Sequence, residues 1–223
     1  MALSALAPVE RRGLHEELTE QLRRAIIHGE LEAGTKISEK ALCEQFGVSR
    51  TPVREAIKIL STEGLIQLNQ NRGASVTELT LSDLKDAFPI MATLEGLAGQ
   101  LACKNASDAQ IARASALQTR LEAMFKSGDR KGYFKVNEDI HELFIEASGN
   151  AALPRLIRAV SAQVRRARYM ANLSTDRWEQ AVKEHADILV AFEARDANRV
   201  GRLMTTHLNN KLKALTKALE GQV

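Results

Sequence analysis

The segment from Ser38 to Val76 limits the possible folds more than any other part of the chain. It reads SEKALCEQFGVSRTPVREAIKILSTEGLIQLNQNRGASV. Ser38 suits an N-cap, because its hydroxyl can accept a bond from an orphan backbone N–H, and Ala41, Leu42 and Phe46 follow at helical spacing. Gly47 predicts the end of that helix, Val48 fits the corner, and Ser49 is placed to cap a second helix. Pro52 falls in the first turn of that second helix, where a missing N–H costs little. Two short helices joined by a tight turn containing glycine make a helix-turn-helix.

The second helix has two chemically distinct faces. Val53, Ala56, Ile57 and Leu60 project to one side. Arg50, Arg54 and Lys58 recur every four residues along another, with Thr51 beside them. After the helix come Leu65, Ile66, Gln67 and Leu68, an Asn/Gly-rich turn at 69–73, and then Ala74-Ser75-Val76, which together predict a β-hairpin with Arg72 near its tip. A charged stripe alone is more often a solvated helix face. The tight turn before it, the hydroxyl among the cations and the hairpin after it favour a winged helix meeting phosphates and base edges in a DNA major groove.

GTKISEKALCEQFGVSRTPVREAIKILSTEGLI, followed by NRGASV, resembles the winged helix of GntR-type bacterial transcription regulators. The resemblance runs along the whole segment and includes SRTPVREA. It implies that Arg50, Thr51 and Arg54 contact double-stranded DNA. It extends the same role to Lys40, where the family often has arginine; lysine keeps the charge and loses the bidentate fork.

Bulk charge does not argue for nucleic acid. The net charge is +3, and residues 1–80 hold ten Lys and Arg against eleven Asp and Glu. The case rests on where the cations sit, and predicts modest affinity per domain, strong salt dependence and a need for dimerisation. Cys43 and Cys103 are isolated, no apolar run is long enough to span a bilayer, and Glu10, Arg11 and Arg12 interrupt the N-terminus where a secretory signal would be apolar. A cytoplasmic protein is expected.

Upstream of the organising segment, Leu14, Leu18, Leu22 and Ile26 predict a first helix ended by Gly29, with His15 and His28 at its surface. The winged helix-turn-helix domain is therefore expected over residues 1–79. From Thr80 the pattern is helical almost to the end, which predicts an all-α antiparallel bundle over 80–223 and makes the chain mainly α. TLSD at 80–83 reads as a capping box. Leu84, Ala87, Phe88, Leu94, Leu97, Ala98 and Leu101 define the inner face of a first long helix, which Pro89 is expected to kink or split. Ser107 caps a second, and Gly128 separates it from a third that ends at Gly149-Asn150. Three more are expected over about 153–171, 178–194 and 196–219.

Three histidines, His141, His185 and His207, fall on the inner faces of three separate bundle helices. One inward histidine is usually a hydrogen-bonded core residue. Three together favour a shared metal, because neutral imidazoles in an apolar core need a Lewis acid or specific partners. Asn137 lies one turn before His141 and offers an amide oxygen as a fourth ligand. Asp139 and Glu142 project elsewhere.

NEDIHELFIEASGN (137–150) and KEHADILVAFEARDANRVGRLMTTHL (183–208) resemble the FCD effector domain of FadR-type GntR regulators. The resemblance implies a divalent metal such as zinc, nickel or manganese on an Asp, His, His, His set, completed by a small carboxylic acid. The histidines match; the Asp position is Asn137. The family often carries an arginine four residues before the glutamate of a Leu-Glu pair. Here that pair is Leu94-Glu95, and Met91 stands where the arginine would be. Arg165, Arg166 and Arg168 are an alternative source of cation. The function expected is a ligand-responsive repressor that binds a palindromic operator as a homodimer and is released by a carboxylate effector. The alternatives are a regulator for which the metal itself is the signal, and a metal-dependent hydrolase fused to a winged helix, which lacks an HExxH motif.

Overall fold

The computed structural model describes residues 13–69, 73–78, 80–158, 160, 164 and 175–220. The chain divides into two compact units, residues 1–78 and 79–223.

The first unit runs α1 (Leu14–Ile27), β1 (Lys36–Ile37), α2 (Glu39–Phe46), α3 (Arg50–Thr62), β2 (Ile66–Asn69) and β3 (Gly73–Val76). Ser38 caps α2, its side chain accepting from the Ala41 amide at 3.2 Å, and Gly47 ends the helix in the left-handed conformation at φ 64°. Ser49 occupies the N-cap of α3 with extended backbone but makes no side-chain bond to it. Only Leu42 of α2 is fully buried; Ala41 faces outward and Phe46 is half-buried. A helix this short buries a narrow stripe. Val53, Ala56, Ile57 and Leu60 of α3 pack with Leu18, Leu22 and Ile26 of α1 to form the core. The sheet has the order β1-β3-β2, all antiparallel, with Ile66 opposite Val76 and Asn69 opposite Gly73. The apolar residues Ile66, Ala74 and Val76 lie on the inner side, while Leu68 is exposed. The hairpin tip, and with it Arg72, lies outside the described residues.

The second unit contains α4 (Leu81–Asn105), α5 (Asp108–Ser127), α6 (Arg130–Ala147), α7 (Thr175–Glu193) and α8 (Ala197–Glu220), with residues 153–158 also helical. Thr80 with Asp83, and Ser107 with Gln110, both form reciprocal capping boxes. The bundle helix expected over 153–171 falls largely outside the described residues, as do Arg165, Arg166 and Arg168.

Pro89 does not split α4, which runs unbroken from Leu81 to Asn105. Pro89 and Lys85, the residue one turn before it, are both exposed, so the missing hydrogen bond falls on the outer side of the helix. The buried face of α4 also differs from the leucine pattern. Leu97 is 41 % exposed, and Met91, Ala92, Glu95, Gly99 and Ala102 lie inward with Leu84, Phe88 and Ala98. The reason is close packing on α8. A Cβ on Gly96 would meet Thr205 Oγ1 at 2.5 Å, and one on Gly201 would meet the Gln100 side chain at 2.6 Å. Small residues let these two backbones approach, and the bulkier Leu97 is left outside. Thr205 Oγ1 also donates to the Ala92 carbonyl across the contact at 3.3 Å.

Candidate functional site

Two chemically distinct regions qualify, one in each unit. In the first, α3 presents Arg50, Thr51, Arg54 and Lys58 to solvent. Arg54 Nε donates to Glu39 Oε2 at 2.9 Å, Lys58 pairs with Glu55 at 3.0 Å, and Lys40 lies 3.8 Å from Glu44. These are exposed pairs, which bind weakly and exchange readily for a phosphate. The core face of α3 is fixed by Val53, Ala56, Ile57 and Leu60, so its cationic face must point outward.

In the second unit the three histidines come together from α6, α7 and α8. His141, His185 and His207 are all buried, and their ligand nitrogens lie within 4.8 Å of one another. The ring centroids of His185 and His207 are 4.6 Å apart, and those of His141 and His185 are 5.4 Å apart. His141 Nδ1 lies 2.7 Å from Glu95 Oε2, and His207 Nδ1 lies 2.5 Å from Glu184 Oε2. For His207 the carboxylate on Nδ1 fixes the tautomer, keeps the proton on that nitrogen and leaves Nε2 as a lone-pair donor. His207 Nε2 is buried and meets no hydrogen-bond partner among the described residues. Burial holds the His207 imidazole well below its ordinary pKa, and the Lys211 and Arg177 cations push it the same way. It is therefore neutral near pH 7, as a metal ligand must be. Three buried imidazoles that converge, one of them held neutral with a carboxylate behind it, fit a divalent ion.

Asn137, one turn before His141, joins the cluster. Its Oδ1 lies 3.0 Å from His185 Nε2 and accepts from Lys211 Nζ at 3.4 Å. Asp139 lies outside the cluster, paired with Lys135 at 2.9 Å. Met91 is buried in an apolar part of the core.

Four residues that the sequence pattern did not single out build the surroundings: Glu95, Arg177, Glu184 and Lys211. Arg177 grips Glu184 through two bonds of 3.0 and 2.7 Å, and Asn210 donates to the same carboxylate at 2.9 Å. Lys211 is completely buried. One signal could have found it: the apolar stripe Val200, Met204, His207, Leu208 and Leu215 of α8 continues straight through Lys211. Beside His185 a cavity of about 10 Å³, bordered by Gln118, Ile140 and Phe144, has room for no more than about one water.

Comparison with known proteins finds a family for each unit. Residues 14–76 match the family of bacterial regulatory proteins, gntR family, and residues 86–210 match the FCD domain. The chain is 32% identical over 186 residues to the probable D-xylose utilization operon transcriptional repressor of Paenarthrobacter nicotinovorans, covering 82% of this chain and 80% of that one. It is 29% identical over 198 residues to the HTH-type transcriptional repressor RspR of Escherichia coli, covering 87% and 86%. The solved structure of E. coli McbR/YncC shares the fold with a TM-score of 0.83 at 20% identity, covering 93% of this chain and 99% of that one. Among the described residues no helix is long and apolar enough to cross a membrane. The chain belongs to the GntR family of bacterial regulatory proteins, with an FCD domain after its helix-turn-helix, and is a DNA-binding transcriptional regulator rather than an enzyme.

Proposed function

We propose that the protein is a homodimeric repressor that holds a palindromic operator and releases it when a small carboxylic acid binds at a divalent metal in the helical unit. His141, His185 and His207 are the metal ligands, with Asn137 Oδ1 as the fourth donor. The metal, when bound, offers an electrophilic centre to a carboxylate oxygen. Glu95 and Glu184 orient two of the imidazoles, and Arg177 and Asn210 hold Glu184 in place. On the DNA side Arg50, Thr51 and Arg54 read or grip the major groove, Lys40 meets phosphate, and Arg72, which lies between β2 and β3 in the sequence, also contacts DNA. A coupling of about 1–3 kcal/mol between the two sites suffices for the switch. The repressor role is supported by two relatives that are named as repressors.

The observation that carries this reading is the convergence of three buried histidine nitrogens within 4.8 Å. The small cavity beside His185 supports a second reading, in which the metal alone is the signal and no organic ligand enters. Thermal melting against a panel of carboxylic and sugar acids, with chelator or with added zinc, nickel or manganese, separates the two. A ligand present at about 100 times its Kd raises stability by roughly 2.7 kcal/mol. The first reading expects a shift that needs acid and metal together. A shift with metal alone favours the second, and no shift with any metal removes both.

A further inference from the structure

The leucine pattern of α4 is left over once the bundle has packed. Ile90, Leu94, Leu97 and Leu101 recur at steps of four, three and four residues, the spacing of a helix–helix seam. At about 100° per residue they lie within an arc of about 60°. The core takes a different side of the helix, through Phe88, Met91, Ala92, Glu95 and Ala102. Ile90 is therefore 52% exposed and Leu97 41%, while Leu94 and Leu101 are half-buried at the edge of the core. Single exposed apolar residues such as Leu156 and Val190 are ordinary. Four along one helix make a continuous apolar strip of the kind that marks an interface.

The strip is its own complement. Leu94 and Leu97 are equidistant from the Glu95–Gly96 bond, and so are Ile90 and Leu101. Two exposed side chains on the same side of α4 carry opposite charges, Asp86 near the start and Lys104 near the end, centred within half a residue of the same point. Neither forms an ion pair among the described residues. A second α4 laid antiparallel about a two-fold axis at this point sets Leu94 against Leu97 of the second copy. It also sets Ile90 against the second copy's Leu101, and Asp86 against its Lys104. A parallel copy would oppose like charges at both ends. A two-fold contact uses the same patch on both sides, which must then be self-complementary; a foreign partner gives no reason for this symmetry. Thr93 and Gln100 run along one flank, beside an open groove between α4 and α8, and supply a polar rim.

We infer that this strip of α4 is where two copies of the chain join, antiparallel, about a two-fold axis at Glu95–Gly96. The inference rests on the homodimer proposed above and names its surface. A two-fold contact also matches the symmetry of a palindromic site.

Sedimentation equilibrium of the full chain at low ionic strength tests the inference. The wild type is expected to be a dimer. Leu97→Glu brings a charge into the apolar strip from each copy, and is expected to raise the dimer Kd at least about 100-fold. Leu97 is exposed in the single chain, so helicity by circular dichroism is expected to stay that of the wild type. The charge pair gives a second test that leaves the apolar residues intact. Asp86→Lys and Lys104→Asp each set like charges against each other, and each is expected to raise Kd by about three- to ten-fold. The double variant Asp86→Lys/Lys104→Asp restores opposite charges and is expected to return to within about two-fold of the wild type. A monomeric wild type removes the homodimer reading, and the inference with it. A dimer that survives Leu97→Glu unchanged overturns the inference alone: the copies then join elsewhere, and the strip belongs to another partner. A double variant that dimerises no more tightly than the single ones overturns the antiparallel pairing.

Discussion

The two units use charge in opposite ways. On α3 the cations are exposed, their partners Glu39 and Glu55 are close in sequence or on the neighbouring helix, and each pair is open to water. Around the histidines, Arg177 and Lys211 are sealed from solvent and their partners are fixed by several helices at once. An exposed cation is available to bind something else; a buried one is committed to its neighbours. The same residue types thus stay exposed in one unit and are committed to fixed neighbours in the other.

The largest effect that would test this contrast is on stability. Glu184→Ala removes both bonds that hold the buried Arg177 to this carboxylate and the Nδ1 partner of His207, and is expected to cost roughly 3–5 kcal/mol, read as a lower midpoint in urea unfolding. Removing Glu39, the exposed partner of Arg54, is expected to cost less than about 1 kcal/mol in the same assay. Equal losses at the two positions would end the comparison. Next in size, Arg50→Ala and Arg54→Ala are each expected to remove about 1–3 kcal/mol of operator affinity with no change in helicity. Undiminished binding would take α3 out of the recognition role. His185→Ala is expected to lower the nickel retained after dialysis and to blunt any acid response; unchanged metal content would mean that the ion sits elsewhere.

The smallest effect concerns the capping box. Hydrogen bonds from the Thr80 side chain and backbone hold the Asp83 carboxyl below its ordinary pKa. A depressed carboxyl contributes stability that is present above its unfolded value near 3.8 and is lost as pH falls through the folded value. Asp83→Ala is therefore expected to cost about 0.5–1 kcal/mol at pH 7, with the difference from wild type fading below about pH 4. A cost that persists undiminished at low pH would show that the ionised carboxylate is not its source.

The helix-turn-helix was legible because its signals are local. Ser38, Gly47 and the four-residue steps from Val53 to Ile57 and from Arg50 to Arg54 report on their own helices and need no partner to be interpreted. The histidines were legible for a related reason, since each interrupts an apolar stripe. Glu95, Glu184 and Lys211 were not, because a charged residue reads as surface by default and becomes a core residue only when distant helices supply its partners. The burial of Leu97 was misjudged from the same side: glycines at 96 and 201 bring two backbones together, and close approach outranks the apolarity of one side chain. Pro89 stayed within a continuous helix because the missing hydrogen bond falls on its outer side, which the sequence does not state.

The most direct measurement of the central claim is the affinity of the protein for an operator selected from a random duplex library, followed by fluorescence anisotropy. It would be made with chelator, with nickel, and with nickel plus the acid that shifts the melt most, for wild type and His185→Ala. Nickel and acid together are expected to raise the wild-type Kd for DNA by roughly 5–150-fold, while His185→Ala is expected to bind the same DNA and not respond. Identical affinity in all three conditions, or an equal response in His185→Ala, would contradict it.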